Sequence, residues 1–350
     1  MTEKKLIEGR ITKIYGTVYF VEYKEEIYSC RLRGKLKLLQ STTDMKDPKM
    51  KEKLKLLKST NTKNPLAVGD FVKFKAMESE EIGEEGYKQG LIYELIPRRN
   101  KLSRSFVQHK KVKEQFIAAN VDYVLCVNSV KSPRLKTSFI DRVIVTCEKE
   151  EIEPIIIVNK IDLEKSNATI NKKSYGEEKV NQASKTVKEI YEPLGYKILF
   201  TSAKTKKGMD ELKALIKNKV VVLTGYSGVG KSTIINSLIG KEIQRVREVS
   251  RYSDKGKHTT TTSEIIEIQN GGYIIDTPGL SEFGIYNIDK DDLYHYFREL
   301  EPYTGKCKYT PCTHSHEPDC AVKEDVNNGI INNKRYENYL KILNTLEEIS

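Results

Sequence analysis

The apolar positions of this chain change rhythm twice. Over residues 5–30 they alternate as strands do: Ile7, Ile11 and Ile14, then Thr17-Val18-Tyr19-Phe20-Val21, then Ile27-Tyr28-Ser29-Cys30, punctuated by Gly9 and Gly16. Similar pieces follow at Asp70-Phe71-Val72-Lys73-Phe74 and Gly90-Leu91-Ile92-Tyr93-Glu94-Leu95-Ile96, and Pro97 closes the series. Several short strands with little helix predict a small barrel. From about residue 120 the apolar runs become nearly continuous, at 121–127, 155–158, 198–200, 220–223 and 273–275. Such runs suit parallel strands covered on both faces. Helical stretches such as 139–150 and 209–218 lie between them, so a doubly wound α/β sheet is expected. After about residue 285 the pattern turns helical, broken by a Cys/His cluster. The expected organisation is a barrel over 1–97, a linker over 98–119, an α/β domain over 120–284 and a helical domain over 285–350.

The ends of the α/β strands carry the chemistry. Gly225-Tyr226-Ser227-Gly228-Val229-Gly230-Lys231-Ser232 matches the phosphate-loop pattern, with a strand before it and a helix, starting near Thr233, after it. Glycines let backbone N–H groups turn toward phosphates, and the helix adds its positive N-terminus. Lys231 suits the β- and γ-phosphates, and the Ser232 hydroxyl suits Mg²⁺. Asn159-Lys160-Ile161-Asp162 follows another strand. A carboxylate at Asp162 can accept from both N1–H and the 2-amino group of guanine, a pair of donors adenine lacks, which argues against an ATPase. The Lys160 stem can cover the base. Thr201-Ser202-Ala203-Lys204 stands where a second guanine loop belongs. Asp276-Thr277-Pro278-Gly279 would hold Mg²⁺ through water at Asp276 and sense the γ-phosphate at the Gly279 amide. The guanine loops precede the phosphate loop, so the motif order is circularly permuted. Permutation is tolerated because the site is assembled in space.

Cys307, Cys312, His314 and Cys320 fall within fourteen residues, a donor set suited to one closed structural Zn²⁺ site, with His316 as a possible substitute for His314. Cys30, Cys126 and Cys147 sit in apolar settings and are expected to be buried. Few cysteines, no apolar run of membrane length and no leader-like start lead to an expectation of a cytoplasmic monomer with no membrane partner.

Charge is uneven. Residues 1–115 hold 26 Lys+Arg against 16 Asp+Glu, and the remaining residues hold 34 against 33. A one-ended surplus suits a polyanion partner; it equally suits a solvated lysine-rich face. Residues 31–63 carry eleven cations and three acids, which reads as a long basic insertion in the barrel.

Taken together, these residues resemble the circularly permuted ribosome-biogenesis GTPases of the RsgA type. The resemblance rests on the motif order, on 96–104 (Ile-Pro-Arg-Arg-Asn-Lys-Leu-Ser-Arg), on Lys255-Gly256-Lys257-His258-Thr259-Thr260-Thr261 and on 307–322. It implies a multidomain fold: an OB-fold barrel, a permuted P-loop GTPase domain and a zinc-binding helical domain. It implies hydrolysis of GTP to GDP and phosphate in late maturation of the small ribosomal subunit, stimulated by that subunit. By similarity, the four Cys/His residues take zinc, and Thr260 or Thr261 lies near Mg²⁺. Leu280 stands where many GTPases place a water-orienting glutamine, so His258 is a candidate for that task; a structural hydrogen bond is its other reading. Arg98, Arg99, Lys101 and Arg104 are expected to meet ribosomal RNA at phosphates. Tyr19, Phe20 and Tyr23 are open between base stacking and barrel core.

Overall fold

The computed structural model describes residues 6–38, 65–77, 86–108, 111–164, 183–239, 263–269, 271–276, 285 and 288–347, with side chains at all of these except 33–38, 104–108 and 111–113. Two compact units result. One comprises Met1–Val121, Arg247–Ile268 and Tyr273–Gly279; the other comprises Asp122–Val246, Gln269–Gly272 and Leu280–Ser350.

In the first unit, β1 (Ile7–Tyr15), β2 (Val18–Tyr23), β3 (Glu26–Leu38), β4 (Phe71–Ala76) and β5 (Lys88–Leu95) pair in the order β1-β2-β3-β5-β4. Strand β4 returns to β1, which closes the barrel. Closure removes the exposed edges that an open sheet must otherwise protect. Alternate positions point inward, so Ile11, Val21, Cys30, Val72, Phe74 and Ile92 are fully buried. Tyr19 and Phe20 are buried too, whereas Tyr15 and Phe71 are exposed. The expected insertion over 31–63 begins later than its charge suggests, because β3 runs on to Leu38. Its sequence alternates Arg31, Arg33, Lys35 and Lys37 with Leu32, Leu36 and Leu38, a strand rhythm hidden under a high cation count. Residues 39–63 lie outside the described residues.

Residues 98–119, expected as a linker, instead contain a hairpin of β6 (Lys101–Gln108) and β7 (Lys111–Ala119). Its base is stitched to the barrel. Asn120 Nδ2 donates to the Gly69 carbonyl at 2.9 Å, and the Ala119 amide donates to the Val68 carbonyl at 2.9 Å. Arg98 forks onto the fully buried Asp70, with Nε 2.6 Å from Oδ1 and Nη2 2.7 Å from Oδ2.

In the second unit, β8 (Tyr123–Ser129), β9 (Glu153–Asn159), β10 (Lys197–Phe200) and β11 (Val220–Thr224) run parallel in the order β10-β9-β8-β11. Helices α1 (Thr137–Lys149), α2 (Ala183–Tyr191), α3 (Met209–Leu215) and α4 (Lys231–Leu238) connect or follow them. Parallel strands place all their outgoing loops on one edge, where ligands of such sheets bind. Strands β12 (Glu264–Glu267) and β13 (Tyr273–Asp276) belong to the first unit, where they form an antiparallel pair that joins β1 through Lys13 and Glu264. The chain ends in α5 (Ala321–Asn327) and α6 (Asn333–Glu347). These pack a core of Leu293, Phe297, Leu300, Val322, Tyr339, Ile342 and Leu343 together with Val145 of α1. Among the described residues no helix is long and apolar enough to cross a membrane.

Candidate nucleotide and metal sites

The loops that follow β9, β10 and β11 meet at the side chain of Asn159. It ends β9 and is 2% exposed. Its Nδ2 donates to the Val229 carbonyl in the phosphate loop at 2.9 Å. Its Oδ1 accepts from the Thr201 hydroxyl and from the Ala203 amide, each at 3.2 Å. One amide side chain therefore ties the loop after β11 to the loop after β10. Gly230 explains how closely they pass: a Cβ there would stand 2.4 Å from Asn159 Nδ2, and its φ of 101° already favours glycine. Gly225 is similarly constrained, since a Cβ would meet the Val127 carbonyl oxygen at 2.2 Å.

Lys231 opens α4 and curls back over the loop, its Nζ donating to the Gly225 and Tyr226 carbonyls at 2.5 and 3.0 Å. Ser232 and Thr233 follow in the first turn and are exposed, while Val229 is buried under the loop. Asp162 is exposed and accepts from the Ser202 hydroxyl at 2.6 Å, which orients its carboxylate between the two guanine loops. Ser202 Oγ in turn accepts from the Thr205 amide at 3.1 Å. Lys160, at φ 62°, donates from Nζ to the Ser132 carbonyl at 2.5 Å; Lys204 is exposed. The structure thus brings together Asn159, Lys160, Asp162, Ser202, Ala203 and the 225–233 segment. Asp276 ends β13 in the first unit. His258, Thr260, Thr261 and Gly279 lie outside the described residues. Thr201 is a contributor that its motif position alone did not single out, and Ser132 has no motif to signal it.

The second cluster is built on the loops before α5. Cys307, Cys312, His314 and Cys320 bring one donor atom each within 4.8 Å of one another. All three sulfurs lie 3.5 Å from His314 Nδ1, and Cys320 Sγ lies 3.8 and 3.9 Å from those of Cys307 and Cys312. A tetrahedral ion at about 2.3 Å from sulfur and about 2.0 Å from nitrogen sets donor separations of about 3.8 and about 3.5 Å. The four residues fit such an ion. His316 is exposed and bonded to Ser315, so the imidazole of the set is His314. Without a metal, burial raises the Cys312 thiol to about 12 and lowers His314; a bound cation favours the thiolate instead. Glu317 braces the loop, accepting from the Thr313 and Ser315 amides at 2.6 and 2.9 Å. Burial opposes its ionisation, but these bonds and that of the Thr313 hydroxyl outweigh it and bring its pKa down to about 2. Cys30, Cys126 and Cys147 are fully buried, as expected.

Of the four expected RNA cations, two are engaged internally. Arg98 holds Asp70, and its guanidinium lies 4.5 Å from the Phe116 ring centroid. Lys101 Nζ is 2.6 Å from Oε1 of the buried Glu114. Arg99 is exposed, and the side chain of Arg104 is outside the described set. Counting charge along a segment missed Asp70, which lies 28 residues earlier.

Comparison with known proteins decides the family. The RsgA GTPase family model matches residues 95–286 and the RsgA N-terminal domain model matches residues 8–44. The chain belongs to the RsgA GTPase family. A small ribosomal subunit biogenesis GTPase RsgA from Phocaeicola vulgatus is 33% identical over 345 residues, covering 98% of both chains. The protein of the same name from Cytophaga hutchinsonii is 36% identical over 338 residues, covering 96% of this chain and 98% of that one. The crystal structure of YjeQ from Thermotoga maritima superposes with a TM-score of 0.65 at 32% identity, covering 98% of this chain and 99% of that one. YloQ, a circularly permuted GTPase, has the same fold, with a TM-score of 0.65 at 24% identity over 100% of this chain and 98% of that one. This RsgA-family chain is a GTPase with a closed N-terminal barrel, a permuted nucleotide domain and a C-terminal Cys/His cluster that could hold a metal.

Proposed function

We propose that the chain hydrolyses GTP to GDP and phosphate during late maturation of the small ribosomal subunit, that it binds ribosomal RNA there, and that the subunit stimulates turnover. The observation that carries this reading is the Asn159 seam, which joins phosphate-reading and base-reading loops into one surface. In this reading Asp162 accepts both guanine donors, Lys160 covers the base, and Ser202, Ala203 and Lys204 line its other edge. Residues 225–230 wrap the phosphates with backbone N–H groups, and Lys231 leaves its carbonyl rests to meet the β- and γ-phosphates. Thr233 continues the first turn of α4, and Gly279 reads the γ-phosphate. Ser232, Asp276 and Thr260 or Thr261 would hold Mg²⁺, which supplies positive charge against the phosphate oxygens. His258 orients the attacking water.

Zinc is the ion the Cys307, Cys312, His314 and Cys320 set suits best, in a structural role. Barrel and hairpin form the RNA face. Arg99, which is exposed, and Arg104 are its phosphate contacts, and Arg98 and Lys101 hold Asp70 and Glu114 beside them. Exposed Tyr15 and Phe71 are better placed to stack on bases than the buried Tyr19 and Phe20. The protein works as a cytoplasmic monomer.

Co-sedimentation with purified small subunits tests the partner. Binding should be tighter with a non-hydrolysable GTP analogue than with GDP and should weaken steeply with salt, because several phosphate contacts release counterions. Arg99→Ala/Arg104→Ala should flatten that slope by about two contacts. Absence of subunit binding in every nucleotide state would refute the reading.

A further inference from the structure

Behind the nucleotide surface, the phosphate loop leans on helix α1. Tyr226 lays its ring against Phe139, with centroids 4.7 Å apart and planes at 42°. Lys136, just before α1, places Nζ 5.1 Å from the centroid of the same ring. Pro133, in the loop entering α1, comes within 3.7 Å of where a Cβ on Gly228 would stand. The seating of the loop therefore depends on where α1 sits.

Helix α1 is in turn held by the last helix of the chain through a buried polar knot. Asn338 Nδ2 donates to Thr137 Oγ1 at 3.0 Å and to Asp141 Oδ2 at 2.5 Å. Arg335 pairs with Asp141 and forks onto Glu299 at 2.6 and 3.1 Å. Tyr191 of α2 donates to Asp141 Oδ1 at 2.7 Å and to the Thr137 carbonyl at 3.2 Å. Farther along, Arg142 Nη2 donates to Thr345 Oγ1 at 3.2 Å. Arg335 and Asp141 are 0% exposed and Asn338 is 1% exposed. Apolar packing would hold the two helices together without defining their rotation or register. Hydrogen bonds among buried charges do define them, because any slip leaves a charge unpaired away from water.

We propose that α6 is a positioning element of the GTPase site: Asn338 and Arg335 set α1, and Phe139 of α1 sets Tyr226 and with it the phosphate loop. The proposal rests on reading 225–232 as the GTP phosphate loop. In that arrangement the C-terminal helix is part of the nucleotide domain's frame, and it also meets the Cys/His region, where Tyr336 Oη donates to the His314 carbonyl at 2.7 Å.

The test uses the full chain, a fluorescent guanine nucleotide for affinity, steady-state GTP hydrolysis and metal content. Asn338→Ala and Phe139→Ala should each weaken GTP binding about five- to tenfold, with kcat at saturation moved less than about twofold and bound metal retained. The double variant should be no weaker than the worse single, because both act through one element. Tyr226→Ala should show the same loss and Tyr226→Phe, which keeps the ring, should recover most of it. Thr345→Val, a milder change on α6, should weaken binding about twofold even where Asn338→Ala folds poorly. Unchanged affinity in folded Asn338→Ala and Thr345→Val, or losses that add fully in the double variant, would overturn the proposal. A parent chain that binds no guanine nucleotide would overturn the phosphate-loop reading and this proposal together.

Discussion

The nucleotide surface and the Cys/His knuckle sit in the same compact unit and are held by opposite means. Around Asn159 the loops are tied by hydrogen bonds the protein makes with itself: an amide side chain to Val229, Thr201 and Ala203, a serine to Asp162, a lysine to loop carbonyls. These bonds fix the loops relative to one another, and order built into a site lowers the cost of binding. The knuckle instead gathers three thiols around one imidazole nitrogen at separations that a tetrahedral metal sets. Its geometry fits a tetrahedral metal and is braced by Glu317. Preorganisation by hydrogen bonds suits a ligand that comes and goes, while a metal suits a part that must stay folded.

The comparison breaks first, and with the largest effect, on metal removal. Cys312→Ala should lose the ion and cost more than about 3 kcal/mol in the C-terminal region. Hydrogen exchange should locate the damage: the Thr313 and Ser315 amides lose protection while the Ala203 amide, bonded to Asn159, keeps it. Loss of protection at all three would mean that the two regions are not held separately. Next, Asp162→Asn should weaken GTP binding about tenfold or more and reduce discrimination against ATP, because a double acceptor becomes a mixed group. The fold should persist, since an asparagine carbonyl can still accept from Ser202. Unaltered base discrimination would remove Asp162 from the base site. The smallest effect is at Glu317. Its folded pKa is depressed to about 2 from the ordinary 4.5, so its contribution is complete above about 4.5 and is lost as pH falls toward 2. Glu317→Gln should therefore destabilise by about 1–2 kcal/mol at neutral pH, and its gap to the parent should close over that acid window. A gap constant between pH 6 and about 2.5 would show that the carboxylate charge is irrelevant to the brace.

How far the sequence foretold these features depends on how local each one is. Strand-end motifs are local, and 159–162, 201–204 and 225–232 all emerged at the ends of β9, β10 and β11. The barrel was legible because alternation is a property of neighbours. The hairpin of β6 and β7 was not, because lysines and arginines on it concealed the buried Leu102, Phe116, Ala118 and Ala119. Non-local pairings were invisible as well: Arg98 with Asp70, and Asn338 and Arg335 with Asp141 nearly two hundred residues earlier. His314 was already named from the sequence as the imidazole of the Cys/His set, with His316 as its substitute, and the structure gathers His314 with the three cysteines.

The central claim is that this surface turns over GTP and that the small ribosomal subunit accelerates it. Phosphate release from GTP, measured with and without purified small subunits, tests this most directly. The account predicts slow intrinsic turnover, a rise of at least about tenfold on adding subunits, and loss of both rates in Lys231→Ala. Identical rates with and without subunits, or full activity in Lys231→Ala, would contradict it.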